Sequence, residues 1–179
     1  MPVDESIEIR RLEGADLRAN LDGLADVLSD CVAGGASVGY MASFTNADAR
    51  REYQRWAEEA DLGRRLILGA FDRDDGPLVG TVQVILTLPP NKPHRGEIAK
   101  MLVRRSARRR GVGQRLLEAA ERAARDEGKT LLVLDAVTDG DAARLYARIG
   151  WQTVGVVPDF ALYPDGRFCD TTYFYKRLT

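Results

Sequence analysis

An α/β (α+β) fold follows from three features of the chain. Short segments of alternating or continuous apolar residues read as strands, longer segments with apolar residues at helical spacing read as helices, and a glycine-bearing turn joins a strand to a strong helix in the second half. The resulting order is β-α-α-β-β-β-α-β-α-β-β, in which a mostly antiparallel front half gives way to β-α-β crossovers behind the glycine turn. No internal repeat, low-complexity tract or linker interrupts the 179 residues, so residues 1–179 read as a single domain.

The elements follow in order. Ser6 to Leu12 reads as a first strand. From Asp16 to Val32, Leu17, Leu21, Leu24, Ala25, Val27 and Leu28 predict one helix, broken by Gly34, Gly35 and the small residues up to Gly39. Asn46 is suited to cap a second helix that reaches about Ala60. Arg65 to Phe71 and Leu78 to Leu88 read as strands joined by the turn cluster Asp72 to Pro77. Pro89, Pro90 and Pro93 punctuate the chain before a strand from Glu97 to Val103. Gln114 to Asp126 is an amphipathic helix with Leu116, Ala120, Ala123 and Ala124 on one face, and the pairs Glu118/Arg122 and Glu121/Arg125 on the solvent side. Gly128 stops it. The run Leu131 to Leu134 predicts a strand buried on both faces. Asp139 or Asp141 caps a short helix, Ala142 to Ile149, ended by Gly150. Trp151 to Val157 and Thr171 to Leu178 read as the last two strands, with a loop or hairpin from Pro158 to Asp170 between them. The edge of the last strand either pairs with a second copy, giving a homodimer, or is covered.

Composition excludes several classes. With 26 Lys and Arg against 27 Asp and Glu, the net charge of −1 argues against a generic nucleic-acid binder. Cys31 and Cys169 belong to no ligand-spaced cluster, so neither a disulfide framework nor a metal site is expected. His94, the one histidine, lies in a Pro-rich turn and reads as an exposed loop residue. No apolar run approaches the roughly 20 residues of a membrane span, and the acidic N-terminus lacks the apolar region of a signal peptide, so no membrane partner and a cytoplasmic location are expected.

The segment Arg108, Arg109, Arg110, Gly111, Val112, Gly113 carries the strongest chemical signal. A helix N-terminus presents N–H groups without intrahelical partners together with partial positive charge, and glycines let a phosphate approach the backbone. The string is neither a Walker A loop nor the G-x-G-x-x-G dinucleotide fingerprint. Its R-x-x-G-x-G pattern after a strand resembles the acetyl-coenzyme A loop of the GNAT N-acetyltransferase superfamily. Two further segments resemble that family in the right order: Ala143-Arg144-Leu145-Tyr146-Ala147-Arg148-Ile149-Gly150-Trp151, similar to its A-x-x-L-Y-x-x-x-G-(F/W/Y) segment, and Leu132-Val133-Leu134-Asp135, similar to the preceding strand. Leu134 to Thr138, Gly155 to Asp159, Asp170 to Lys176 and the loop Gly35 to Gly39 look closest to the tabtoxin-resistance type of acetyltransferase.

The resemblance implies a GNAT acyl-CoA N-acyltransferase fold, with a mixed, mostly antiparallel sheet, a splayed central strand pair and flanking helices. It also implies acetyl-CoA as the acyl donor and a primary amine as the acceptor. Met101, Leu102 and Val103 would then contact the donor through main chain. Arg108, Arg109, Arg110, Gly111, Val112, Gly113 and Gln114 would form the pyrophosphate loop, with Arg109 either solvated or near the 3′-phosphate. Tyr146 would be the general acid for the departing thiolate and Asp135 the base, with Glu97 as the competing carboxylate. Ser37, Val38, Gly39 and Tyr40, with Asp159 and Phe160 from the late loop, are candidates for the acceptor pocket. A small-molecule amine leads; a protein or peptide amine differs only in the acceptor groove. A polyanion-binding module built on the arginine run, or a GNAT fold that binds acyl-CoA without turnover, are readings of other classes.

Overall fold

The computed structural model describes residues 6–73 and 76–179. The N-terminal segment read for a signal peptide, and Asp74 and Asp75 of the turn after β2, lie outside the described residues. Strands β1 (Ile7–Arg11), β2 (Arg65–Asp72), β3 (Leu78–Ile85), β4 (Arg95–Val103), β5 (Leu131–Val137), β6 (Gln152–Leu162) and β7 (Phe168–Arg177) form one seven-stranded sheet in the order β1-β2-β3-β4-β5-β7-β6. Neighbours run antiparallel except β4 and β5, which are parallel and joined by helix α4 (Val112–Asp126). This is the mixed, mostly antiparallel sheet with flanking helices expected from the sequence.

Helices α1 (Gly14–Ala19), α2 (Leu21–Ala33) and α3 (Asn46–Asp61) bury Leu17, Leu24, Leu28, Tyr53 and Trp56 against Ile67, Phe71, Leu78 and Leu102 on one face of the sheet. On the other face α4 and α5 (Asp141–Arg148) bury Val112, Leu116, Ala120 and Tyr146 against Leu68, Val82, Leu132, Leu134 and Phe174. Strands β2 and β3 are therefore buried on both faces, each fully enclosed aliphatic side chain contributing about 1.5–3 kcal/mol relative to an exposed one. At Gly80 a Cβ would meet Leu102 O at 3.0 Å and the Leu116 and Val112 methyls at 3.1 Å each, so the glycine lets the first turn of α4 settle directly on β3.

Several elements differ from the sequence expectation. The helix predicted from Asp16 to Val32 is two, because the Asn20 side chain donates to Asp16 O (2.8 Å) and Oδ1 (3.1 Å) and competes with the helical ladder. Thr45, not Asn46, caps α3: its Oγ1 accepts from Asp48 N at 3.2 Å while its own N–H donates to Asp48 Oδ2 at 2.8 Å. Asn46 is the first helical residue and instead donates to Asp26 Oδ1 at 2.7 Å, linking α3 to α2. Strand β5 is fully buried on one face only, since Leu131 and Val133 keep partial exposure where α1–α3 pack mainly over β2–β4.

The last two strands are longer than predicted and change places. Residues 158–162 and 168–170, expected in a loop or hairpin, belong to the hairpin arms of β6 and β7. Pro158 is compatible with a strand because β6 is an edge strand and the register shifts between Val157 and Ala161. Strand β7 is held between β5 and β6, so the last strand is not the sheet edge. Glu121, expected on the solvent side, is 5% exposed. It accepts from Trp151 Nε1 at 3.0 Å and from Lys176 Nζ at 2.8 Å through both oxygens. This triad ties α4 to β7 and to the residue before β6, a link that spacing within one helix does not reveal.

Removing one member of such a buried pair leaves an uncompensated charge and an unpaired indole N–H. Glu121→Ala should lower stability by about 3 kcal/mol in urea unfolding, and adding Lys176→Met should recover part of that loss. A change under about 0.5 kcal/mol, as for a solvated surface pair, would contradict the assignment.

Candidate active site

Strands β4 and β5 pair only at Arg95–Leu131, Gly96–Leu132 and Glu97–Val133. Beyond Glu97 they diverge, while β4 stays bound to β3 and β5 to β7 along their lengths. The register between β3 and β4 slips by one residue near Val82, and Lys100 has a left-handed φ of 48° at that bulge. The result is a cleft in the middle of the sheet with Glu97 at its apex, Lys100 to Val103 on one wall and Asp135 on the other. Met101 packs toward the α4 face and Leu102 is buried against α2 and α3. The Val103 carbonyl accepts from Cys31 Sγ (3.5 Å) and Arg108 Nε (3.4 Å).

The chain turns from β4 into α4 through residues 104–111. Arg109 has φ 63° and Gly111 φ 78°, so two left-handed residues precede the helix. Among the described residues, the backbone N–H groups of Arg109, Gly111, Val112, Gly113 and Gln114 donate to no protein acceptor; the first helical bond is Arg115 N to Gly111 O at 3.2 Å. Such a nest at the positive end of a helix is a built anion cradle. Gly113 lies beside α5 and the cleft wall, where a Cβ would meet Leu145 Cδ2 at 3.1 Å and Met101 Sδ at 3.6 Å.

The arginine side chains are mostly committed elsewhere. Arg104 lies 3.7 Å from Asp26, Arg105 pairs with Asp30 through Nε at 2.9 Å, and Arg110 makes a bidentate pair with Asp72 at 2.8 Å. Arg108 and Arg109 are exposed, with Arg108 turned back to Val103 O, and Gln114 Nε2 donates to Glu118 at 2.9 Å. The loop thus offers backbone amides, and Arg110 braces it against the end of β2.

Tyr146 and Asp135 are near enough for the carboxylate's charge to act on the phenol. Tyr146 is 4% exposed, packed at 5.9 Å from the Trp151 ring and 5.6 Å from Phe174. Burial, reinforced by the Asp135 charge, raises its phenol well above the ordinary tyrosine value. Asp135 stands at the rim, and burial raises its carboxyl above the ordinary value; Lys100 opposes the shift and Glu97 adds to it. Glu97 accepts from Arg95 Nη2 at 2.5 Å.

The loop between α2 and α3 closes the other side. Ser37 Oγ donates to Leu162 O at 2.6 Å, and Ala42 N to Pro164 O at 3.1 Å, so this loop is pinned to the turn of the β6–β7 hairpin. Val38 O accepts from Lys100 Nζ at 3.0 Å. Gly39 supplies a φ of 99°. Tyr40 donates to Glu52 Oε2 at 3.0 Å and stacks on Phe44 at 3.9 Å. Asp159 and Phe160, expected in a loop beside these residues, are instead on β6: the Asp159 amide is tied to Asp170 Oδ1 at 2.9 Å and Phe160 rests edge-on against Tyr173. Leu162 and Pro164, farther along the hairpin, make the contacts with the loop.

Sequence reasoning passed over Lys100, Glu52 and Arg65. The available signal was Lys100 itself, a single cation inside the apolar run Ile98 to Val103. Among the described residues, no group of three or more His, Cys, Asp and Glu side chains is placed to hold a metal ion.

A model of the Acetyltransferase (GNAT) family matches residues 36–151, the span from the loop between α2 and α3 to the residue before β6. The chain belongs to this family. Its fold also matches an N-acetyltransferase from Staphylococcus aureus Mu50 at TM-score 0.80 and 18% identity, covering 97% of this chain and 99% of that one. A provisionally assigned acetyltransferase from Salmonella typhimurium, solved with its cofactor acetyl-CoA, matches at TM-score 0.78 and 18% identity, covering 97% and 94%. A provisionally assigned phosphinothricin N-acetyltransferase matches at TM-score 0.77 and 20% identity, covering 97% and 99%.

As a GNAT acetyltransferase the protein uses acetyl-CoA as its acyl donor. The amide cradle at the start of α4 suits the donor's pyrophosphate, and the parted β4 strand leaves backbone groups free beside it. A β-branched residue at Gly111 cannot hold φ 78° without strain, about 1–2 kcal/mol or more. Gly111→Val should therefore weaken acetyl-CoA binding by about tenfold or more in calorimetry while the circular dichroism spectrum stays native. Unchanged affinity would dissociate the cradle from the donor.

Proposed function

We propose that this GNAT protein transfers the acetyl group to the primary amine of a small molecule, as one domain over residues 1–179 and in the cytoplasm. The observation that favours a small acceptor is the pinning of the α2–α3 loop to the β6–β7 turn through Ser37–Leu162 and Ala42–Pro164. An extended peptide needs an open groove at least one strand wide, and these two bonds bridge the gap where such a groove would run. The likeness of residues 134–138, 155–159 and 170–176 to the tabtoxin-resistance type supports an amino-acid-like, toxin-like amine.

When bound, acetyl-CoA supplies a thioester whose carbonyl carbon the amine attacks. The backbone N–H groups of Arg109, Gly111, Val112, Gly113 and Gln114 would hold its phosphates, and Met101 to Val103 would line the arm beside the cleft. The amine must lose a proton to attack, and Asp135, with Glu97 behind it, accepts that proton. The C–N bond forms, the C–S bond breaks, and the Tyr146 hydroxyl donates to the departing sulfur. A tyrosine raised by burial and by Asp135 is protonated throughout the neutral range but is a reluctant acid. Once Asp135 has taken the amine's proton, its share of that shift vanishes and Tyr146 becomes more acidic when the sulfur needs a proton.

The polyanion reading draws little support, because Arg104, Arg105 and Arg110 are paired with Asp26, Asp30 and Asp72. For a homodimer the edge at this end of the sheet is β6, which exposes Val154, Val156 and Phe160, instead of the last strand; the opposite edge is β1.

The proposal is tested by thiol release from acetyl-CoA with small amines against short peptides; turnover of peptides alone would overturn it. A base works only when deprotonated, so activity should fall on the acidic side through a pKa above the ordinary carboxylate range of about 4. Glu97→Gln removes a negative neighbour and should move that limb to lower pH, whereas Asp135→Asn should abolish the limb together with most of the rate. The opposite result would make Glu97 the base. Tyr146→Phe should reduce kcat by about 10²–10⁴-fold with little change in acetyl-CoA affinity.

A further inference from the structure

Lys100 is a mostly enclosed cation without a carboxylate partner. Its Nζ donates to Val38 O at 3.0 Å and lies 5.4 Å from the Tyr40 ring and 5.8 Å from the Trp56 ring. Among the described residues it forms no ion pair, whereas Arg65, Arg95, Arg105, Arg110 and Lys176 all have one. A charge withdrawn from water without a counter-ion is unfavourable, and proteins ordinarily pair it or reserve it for a ligand. Lys100 lies at the bulge of β4 on the acceptor side of the cleft, beside the Ser37–Tyr40 loop. Across the cleft stands Asp135, whose carboxylate is also outside any ion pair. The two groups feel each other's charge, yet they are not in contact.

A cleft that presents one unpaired ammonium and one unpaired carboxylate on opposite walls is complementary to a molecule carrying both charges. We propose that Lys100 is the specificity residue of the acceptor site, and that the acceptor is an amphoteric amine whose carboxylate, or an equivalent oxyanion, binds Lys100 Nζ while its ammonium faces Asp135. This rests on the acetyl-transfer reading above and narrows its substrate class. The Val38 carbonyl and the two aromatic rings hold the ammonium in place without neutralising it, so an incoming anion gains a charge-assisted hydrogen bond to a prepositioned donor. A purely cationic amine meets the repulsion of Lys100 and the nearby Arg65 instead, only partly offset by Glu52, whose carboxylate is already held by Tyr40 and Arg55.

The experiment is a thiol-release assay of free α- and ω-amino acids, each beside its own carboxamide, which keeps the amine and removes the anion. The wild-type protein should favour at least one acid over its carboxamide by about 30-fold or more in kcat/KM, the worth of one charge-assisted bond. Lys100→Gln keeps a donor for Val38 O but loses the charge. It should raise KM for the acid, leave kcat within a few-fold, and bring acid and carboxamide close together. Lys100→Arg should restore part of the preference. Acetyl-CoA affinity, measured by calorimetry on the same variants, should not move. Equal use of acids and carboxamides, preference for carboxamides or cationic amines, equal losses on both substrates in Lys100→Gln, or no turnover of any acid by protein that binds acetyl-CoA would each overturn the proposal. Failure to bind acetyl-CoA would instead remove the donor reading beneath it.

Discussion

Parallel strands in a sheet are normally zipped along their whole length, because a buried backbone N–H or C=O left without a partner is costly. Strands β4 and β5 stop pairing after Glu97 and Val133, and the rest of the site depends on that parting. The sheet survives it because each strand is secured on its other side, β4 by β3 and β5 by β7. The bulge at Lys100 turns β4 away from β5 and redirects its side chains, so that Met101 and Leu102 pack on opposite faces. What is lost in ladder bonds is exposed as a cleft with polar backbone on both walls, reaching both faces of the sheet. One face opens to the start of α4, the other to the loop between α2 and α3. A donor and an acceptor can therefore approach one point from opposite sides without sharing a path.

Charge is distributed by the same economy of partners. The run from Arg104 to Arg110 looks in sequence like a cluster of phosphate ligands, but three of its side chains brace the loop against α2 and β2 through Asp30, Asp26 and Asp72. The anion cradle is made of amides, held in shape by Arg109 and Gly111 in left-handed conformation. Amides fixed by a helix need no side-chain ordering when a ligand arrives, whereas flexible arginines lose roughly 1.5–2 kcal/mol of rotamer freedom each. Here the arginines position the binding groups instead of forming them.

The glycine turn, the amphipathic α4 and the Ala143 to Trp151 segment were legible because their signals are local: glycines at a helix start, 3.6-residue spacing, a short motif. Tyr146 and Asp135 were singled out through a family resemblance covering the second half of the chain. Other features depended on partners remote in sequence. Glu121 reads as solvated at i, i+4 from Arg125 until Lys176 of β7 and Trp151 arrive beside it. Pro158 reads as a loop until β6 is known to be an edge strand with a bulge. Asp159 and Phe160 lie on a strand instead of a loop for that reason. Ser37 to Tyr40 were found as a flexible stretch, but their role in bridging to Leu162 and in holding Lys100 lies more than 60 residues away along the chain.

The separation of Lys100 from Asp135 is itself a requirement of the chemistry. Were the ammonium to close on the carboxylate, it would drive the Asp135 pKa down, and the best candidate base would lose its affinity for a proton. The hydrogen bond to Val38 O and the rings of Tyr40 and Trp56 anchor Lys100 against that collapse. Asp135 is thereby left with burial as its dominant influence, which raises it; Lys100, held at a distance, pulls the other way without reversing the shift, and Glu97 adds to the rise. The same carboxylate then raises Tyr146 until it is protonated. The loop that restrains Lys100 is the loop that roofs the acceptor side, so filling the acceptor pocket and setting the base's proton affinity act on a single set of contacts. An anion seated on Lys100 would weaken its pull on Asp135 still further, making the base stronger when the acceptor is in place.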